Sequence, residues 1–241
     1  MDQVDELQYI LDQAKRIVFF TGAGVSTDSG IPDFRSKDGL YNQKYKYAPE
    51  RILSATFFEN HTEEFFKFYR DRMIYDDNIT YNYTHLFCKG YEDIHKSLGV
   101  ITQNIDGLHT ICKTKNVVEL HGSIYRNYCT ACHKFYDLEY IKNSKNIPYC
   151  SCCGVIKPDV VLYEEPLATN NITKAIEMIS QADTLVVLGT SLSVYPAASF
   201  IDYFKGNKLV IINKSTTNYD KKADLCINAP LAEILKPIII R

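Results

Sequence analysis

No stretch of this 241-residue chain stays apolar for the ~18 residues that a membrane-crossing helix requires. Its first residues carry Asp2, Asp5 and Glu6 where a secretory signal would carry positive charge. These two absences lead to the expectation of a cytoplasmic protein with no membrane partner. A surplus of charge is missing as well. The formal net charge of -2 gives no field to gather a nucleic-acid backbone, so no nucleic-acid partner is expected and any macromolecular substrate must be recognised locally. Internal repeats and low-complexity tracts are absent. What remains, 46% hydrophobic and 23% charged, is the composition of a folded globular chain. At this length one large domain with a smaller insertion is expected.

Val4, Leu7, Ile10, Leu11 and Ala14 fall on one helical face, and Arg16 to Thr21 follow as a short β-branched and aromatic run. Further short apolar runs lie at Gly99 to Thr102, Val117 to Leu120, Thr184 to Leu188 and Leu209 to Ile212. None alternates cleanly, as expected of parallel strands buried on both faces. Helical patterns lie between them: Ile172, Ala175, Ile176, Ile179 and Ala182, then a segment with Pro196 in its first turn and Gly206 past its end. Alternating strands and helices predict an α/β fold, a Rossmann-like doubly wound parallel sheet. Two segments break the rhythm. Residues 41–97 are rich in Phe and Tyr at helical spacing, and residues 126–157 hold a cysteine cluster. The expected division is a dinucleotide-binding domain of 1–40, 98–125 and 158–241, with the helical insertion and a zinc ribbon forming the small domain.

Gly22 and Gly24 after the first strand would let backbone N–H groups approach a phosphate. The third glycine of the dehydrogenase fingerprint is missing, however, and so is the acidic residue about 20 positions on. The longer segment is more informative. TGAGVSTDSGIPDFR over 21–35 closely resembles the NAD-binding signature of the sirtuin family, in its bacterial-type catalytic core. Other sirtuin motifs follow in order: Thr102-Gln103-Asn104-Ile105-Asp106-Gly107-Leu108-His109, Glu119-Leu120-His121-Gly122-Ser123, Lys157-Pro158-Asp159-Val160-Val161 and Gly189-Thr190-Ser191-Leu192.

The resemblance implies an NAD-dependent protein-lysine deacylase, most simply a deacetylase, acting on acylated-lysine proteins or peptides. NAD would be consumed, with release of nicotinamide and O-acyl-ADP-ribose. His121 is the candidate base, since a neutral imidazole near the ribose hydroxyls can take a proton, and Asn104 is the second candidate catalytic residue. Gln103 and Asn104 would hold the nicotinamide ribose, beside Ile105, and Asp106 would hydrogen-bond the carboxamide with help from Asp33. Phe34 and Arg35 would cover the ribose and meet the pyrophosphate. Gly22, Ala23 and Gly24 at the first turn, with Gly189, Thr190, Ser191, Asn213 and Cys226 at the adenosine half, complete the cofactor residues. His109 is expected to be structural, and His85 to cap or pack within the helical insertion.

Cys129-x-x-Cys132, then 17 residues, then Cys150-x-x-Cys153 is the spacing of a four-cysteine site for one structural Zn2+. The spacing favours Cys153 as the fourth ligand. The stretch to Lys157 is one residue shorter than in many relatives, which leaves Cys152 as the alternative.

Val160, Leu162 and Val194 match the strands between which sirtuins clamp a substrate peptide. The family usually has Phe-Gly-Glu where this chain has Tyr163-Glu164-Glu165, a departure expected to reshape the peptide cleft or favour basic neighbours of the lysine. Tyr69 and Arg72, three apart on a helix, raise the alternative of a carboxylate clamp and a desuccinylase or demalonylase activity. The opposing reading is an aromatic core residue beside a surface arginine. ADP-ribosyl transfer to protein or plain NAD hydrolysis on the same fold is a further alternative, and a non-enzymatic NAD sensor is the weakest.

Overall fold

The computed structural model describes residues 2–33 and 45–241. Helix α1 (Gln3–Gln13) starts at Asp2, whose carboxylate accepts the Asp5 amide at 2.8 Å, and it buries Leu7, Ile10 and Leu11. It leads into β1 (Ile17–Thr21), buried at every residue. Because β1 is covered on both faces, its side chains part by turns. Ile17 and Phe19 enter one core with α1, and Val18 and Phe20 enter another.

The remaining strands of this sheet are β2 (Ser97–Thr102), β3 (Val117–Glu119), β7 (Thr184–Leu188), β8 (Lys208–Ile212) and β9 (Leu225–Ile227). All pair in parallel, in the order β3-β2-β1-β7-β8-β9. The chain winds outward from β1 in one direction and then from β7 in the other, the doubly wound arrangement expected from the sequence. A crevice must open where the order reverses, at the carboxyl ends of β1 and β7.

Helices α2 (Pro49–Ile52), α3 (Ala55–Asn60) and α4 (Thr62–Arg72) form the front of the aromatic insertion. Their Phe57, Phe65, Phe66 and Tyr69 share a core with Ile124, Ile156 and Val160 of a small antiparallel sheet. That sheet comprises β4 (Gly122–Cys129), β5 (Phe135–Tyr136) and β6 (Ile156–Val160), in the order β5-β4-β6. Helix α5 (Tyr83–Asp93) packs elsewhere, placing Phe87, Cys88 and Tyr91 in the α1 core of the large sheet. Short helices α6 (Leu108–Ile111) and α7 (Leu138–Asn143) follow, then α8 (Thr169–Gln181) and α9 (Leu231–Leu235). The segment after Pro196 forms a 3-10 helix, Ala197–Tyr203, which packs with α8 on the second face. Arg126 on β4 joins the two sheets, reaching Glu119 of β3 at 2.7 Å and Asp159 of β6 at 2.8 Å.

His85 closes a capping box at the start of α5, its Nδ1 accepting the Asn82 amide at 3.2 Å. Its ring lies 4.7 Å from that of His109, whose Nε2 is 3.2 Å from the Thr21 hydroxyl. Burial pushes His85 down to about 4, and burial together with the His85 neighbour pushes His109 well below the ordinary histidine value. Both rings are therefore neutral in the fold, while an unfolded chain would protonate them below about pH 6.5. Their contribution to stability is full above that pH and is lost as pH falls towards 4. From the His85 shift alone, urea unfolding should give a stability roughly 2 kcal/mol lower at pH 5 than at pH 7.5. His85→Gln should reduce the pH dependence to the share that His109 retains, and a wild-type stability that is level between the two pH values would contradict the assignment.

Candidate functional site

At the reversal point two glycine turns interlock. The Gly22 amide bonds the Leu188 carbonyl at 3.0 Å, and the Gly24 amide bonds the Gly189 carbonyl at 2.8 Å. A Cβ on Gly24 would sit 2.8 Å from the Gly189 Cα and carbonyl oxygen, closer than real Cβ atoms come. Gly189 itself turns with φ 60. Above this crossing lies a cleft of about 470 Å³. It gathers Gly22, Ala23, Gly24 and Asp33 from the first loop, and Gln103, Asn104, Ile105, Asp106 and His121 from the β2 and β3 ends. Gly189, Thr190, Ser191 and Asn213 come from the β7 and β8 ends, and Val160, Leu162 and Val194 from the flanking segments. Phe34 and Arg35 lie outside the described residues.

Asp106 is 5% exposed and faces the cleft wall. Ser26 Oγ donates to its Oδ2 at 2.6 Å, and the Leu108 amide donates to its Oδ1 at 2.9 Å. Asn104 Nδ2 donates to Ser26 Oγ at 3.1 Å, so one hydroxyl links the amide and the carboxyl. Burial still outweighs these donors and raises the Asp106 carboxyl above its usual value. On the other side Gln103 Nε2 donates to Thr190 Oγ1 at 3.0 Å, tying the β2 loop to the β7 loop.

His121 Nδ1 lies 2.7 Å from the Gln103 carbonyl oxygen. A carbonyl can only accept, so Nδ1 carries the proton and Nε2 keeps its lone pair. Burial lowers the imidazole below its ordinary value, partly opposed by that hydrogen bond. The neutral form with a basic Nε2 is thus the resting state at neutral pH.

Several expected residues stand apart from the cleft. Cys226 is half-buried on β9 and does not line it, and its carbonyl accepts Gln3 Nε2 at 3.1 Å. Tyr69 and Arg72, raised as an alternative carboxylate clamp, do not line the cleft and take the form of the opposing reading, a core aromatic beside a surface arginine. Tyr69 is fully buried, stacked on Phe65 at 5.6 Å, because the inner face of α4 supplies the small core. Arg72 pairs with Asp71 at 2.8 Å and lies over the Tyr45 ring. The cleft also includes Ser26, Met73, Tyr75 and Lys214, which the sequence reading did not single out. Ser26 lies within the signature that was read. Met73 and Tyr75 follow α4 and reach the cleft only through the packing of the insertion.

The sulfurs of Cys129, Cys132, Cys150 and Cys152 all lie within 4.8 Å of one another, with separations of 3.4 Å and 3.5 Å among them. Four thiolates at ~2.3 Å from a common zinc would stand about 3.8 Å apart, so the set fits a closed tetrahedral site. Gly154 makes room for it, since a Cβ there would meet Cys129 Sγ at 2.6 Å. The fourth member is Cys152, a correction to the spacing that favoured Cys153. Cys153 turns with φ 67 and donates its amide to the Cys150 carbonyl at 2.9 Å, which leaves its side chain exposed outside the cluster. Metal analysis should find one zinc per chain in the wild type and in Cys153→Ser, and less than half of that in Cys152→Ser. The reverse pattern would restore the spacing reading.

The Sir2 family model matches residues 22–196. The chain is 54% identical to an NAD-dependent protein deacetylase of Clostridium acetobutylicum, over 99% of both chains. It is 45% identical to one of Staphylococcus epidermidis, over 98% of this chain and 96% of that one. A solved structure of Sir2 bound to acetylated peptide superposes with a TM-score of 0.88 at 35% identity, covering 98% of this chain and 97% of that one. A Sir2 complex with p53 peptide and NAD+ gives a TM-score of 0.87 at 36% identity, with the same coverage. The chain belongs to the Sir2 family. Among the described residues no helix is long and apolar enough to cross a membrane.

Proposed function

We propose that the protein is an NAD-dependent protein-lysine deacetylase that moves the acyl group from lysine to ADP-ribose. The observation that carries the reading is the fixed tautomer of His121, a neutral imidazole with its Nδ1 committed to Gln103 and its Nε2 left basic in the cleft wall. NAD bound in the cleft would supply an electrophilic ribose carbon and nicotinamide as leaving group. The chain's own residues then have distinct tasks. His121 Nε2 takes a proton from a ribose hydroxyl, so that the acyl group can pass to oxygen. Asn104, held by Ser26, donates towards the ribose, and Asp106 meets the carboxamide. The buried position of Asp106 keeps water from competing for that contact. Val160 to Leu162 and Ser191 to Val194 pair with the peptide backbone, which tolerates varied sequences.

The cysteine cluster would hold zinc as a structural ion. Four ligands leave no open position, so zinc would contribute folding energy to the small sheet and no step of the reaction. The shared core of α2–α4 with β4–β6 supports the small domain as a unit, although α5 adheres to the large sheet. A thiolate site suits the reducing cytosol, where we place the protein.

The acyl group favoured is small and uncharged. Leu53, Met73, Ile105, Val160 and Leu162 give the cleft an apolar wall. Among the described lining residues the one cation is Lys214, which follows Asn213 beyond β8, and Arg72 is engaged with Asp71. Mass spectrometry should show an acetyl-lysine peptide losing its acyl group at least tenfold faster than its succinyl twin, with nicotinamide and O-acetyl-ADP-ribose released. Arg72→Met should change neither rate by more than about twofold. His121→Ala should lose on the order of 100-fold or more in kcat. Because burial lowers His121, the acid limb of kcat/KM should lie below pH 6.5. Consumption of NAD with both peptides intact would sink the proposal, and an acid limb above 7 would remove His121 as the base.

A further inference from the structure

Just past β6 the chain turns through Glu164 with φ 75, a conformation that favours glycine and that a side-chain-bearing residue adopts only when its surroundings impose it. The surroundings here are specific. The Tyr163 amide bonds the Leu53 carbonyl at 2.9 Å, and the Ala55 amide bonds the Tyr163 carbonyl at 3.0 Å, which fixes the turn against the start of α3. Glu164 Oε2 then accepts the Thr56 amide at 2.9 Å. The carboxylate is anchored, and hydrogen bonding to Thr56, from its side chain first and its amide second, holds it below its usual value, so it stays ionised.

The next residue behaves differently. Glu165 Oε2 accepts both the Leu162 amide at 2.8 Å and Lys157 Nζ at 3.0 Å, so its charge is matched. Glu164 is exposed, lines the cleft and, among the described residues, forms no ion pair. It also lies two residues beyond Leu162, at the end of the segment to which the substrate peptide is assigned.

We propose that Glu164 determines substrate specificity by selecting acyl-lysine peptides with Lys or Arg beside the acyl-lysine. The inference rests on the deacetylase reading. A fixed anion at the rim of a strand-binding cleft attracts a flanking cation and repels a flanking carboxylate, while backbone pairing contributes equally to all sequences. The effect belongs in KM, because the contact is the same before and during the reaction.

The test uses three acetyl-lysine peptides, identical except for Arg, Ala or Glu at the two positions flanking the acetyl-lysine, assayed with NAD and the full chain at low and high salt. Labelled versions report binding by fluorescence anisotropy. Wild type should rank Arg over Ala over Glu, with kcat/KM spread by about tenfold at 50 mM salt and by less than about threefold at 500 mM. The spread should lie in KM and be matched in the binding constants. Glu164→Gln, which keeps the shape and removes the charge, should compress the low-salt spread below about threefold, and Glu164→Gly should do the same while relieving the turn. An unchanged spread in Glu164→Gln, or equal rates on all three peptides in wild type, overturns this inference and leaves the deacetylase reading standing. No turnover of any peptide overturns both.

Discussion

The close passage of Gly24 over Gly189 sets the geometry on which the site depends. With φ 60 at Gly189 and no Cβ on either residue, the loop after β1 rests directly on the loop after β7, backbone on backbone. The crossing stands where the strand order of the sheet reverses, so the opening it leaves lies where the loops at the carboxyl ends of both halves of the sheet meet. Gln103 from β2 and Thr190 from β7 close the same gap with side chains at 3.0 Å. His121 is then positioned indirectly, through the carbonyl of that same Gln103.

The site depends on neutral and shielded groups more than on charge. Asp106 is kept dry and bound by Ser26 and Leu108, and His121 is uncharged with one nitrogen committed. Beneath them His85 and His109 are neutral as well, and Asn82, which caps α5, reaches the Val25 carbonyl at 2.8 Å and Ser29 Oγ at 2.9 Å. The glycine loop is thus supported from below by Asn82, whose own amide loses its His85 Nδ1 acceptor if that ring protonates. A low local dielectric strengthens every one of these contacts and also makes each unpaired member costly.

Much of this was legible in the chain itself. Five short apolar runs without alternation announced a parallel sheet, because strands covered on both faces have no polar side to show. The segments around Gly22, Asn104, His121 and Gly189 converge on one cleft because each follows the carboxyl end of a strand of that sheet. Other features rest on geometry that residue spacing does not carry. Spacing left two readings for Tyr69 and Arg72, because the covered face of α4 depends on α3 just before it and on the small sheet, whose strands lie more than 45 residues on. Cys152 displaced Cys153 because Cys153 itself sits in the left-handed region, which turns its own side chain out of the cluster, and residue spacing does not encode φ. Tyr75 and Met73 reach the cleft only through that same packing.

The most direct test of the central claim is 15N NMR of the His121 imidazole in the free protein at pH 7, assigned with a His121→Gln control. The account predicts a neutral ring with the proton on Nδ1 and an unprotonated Nε2. A proton on Nε2, or a doubly protonated ring, would contradict it.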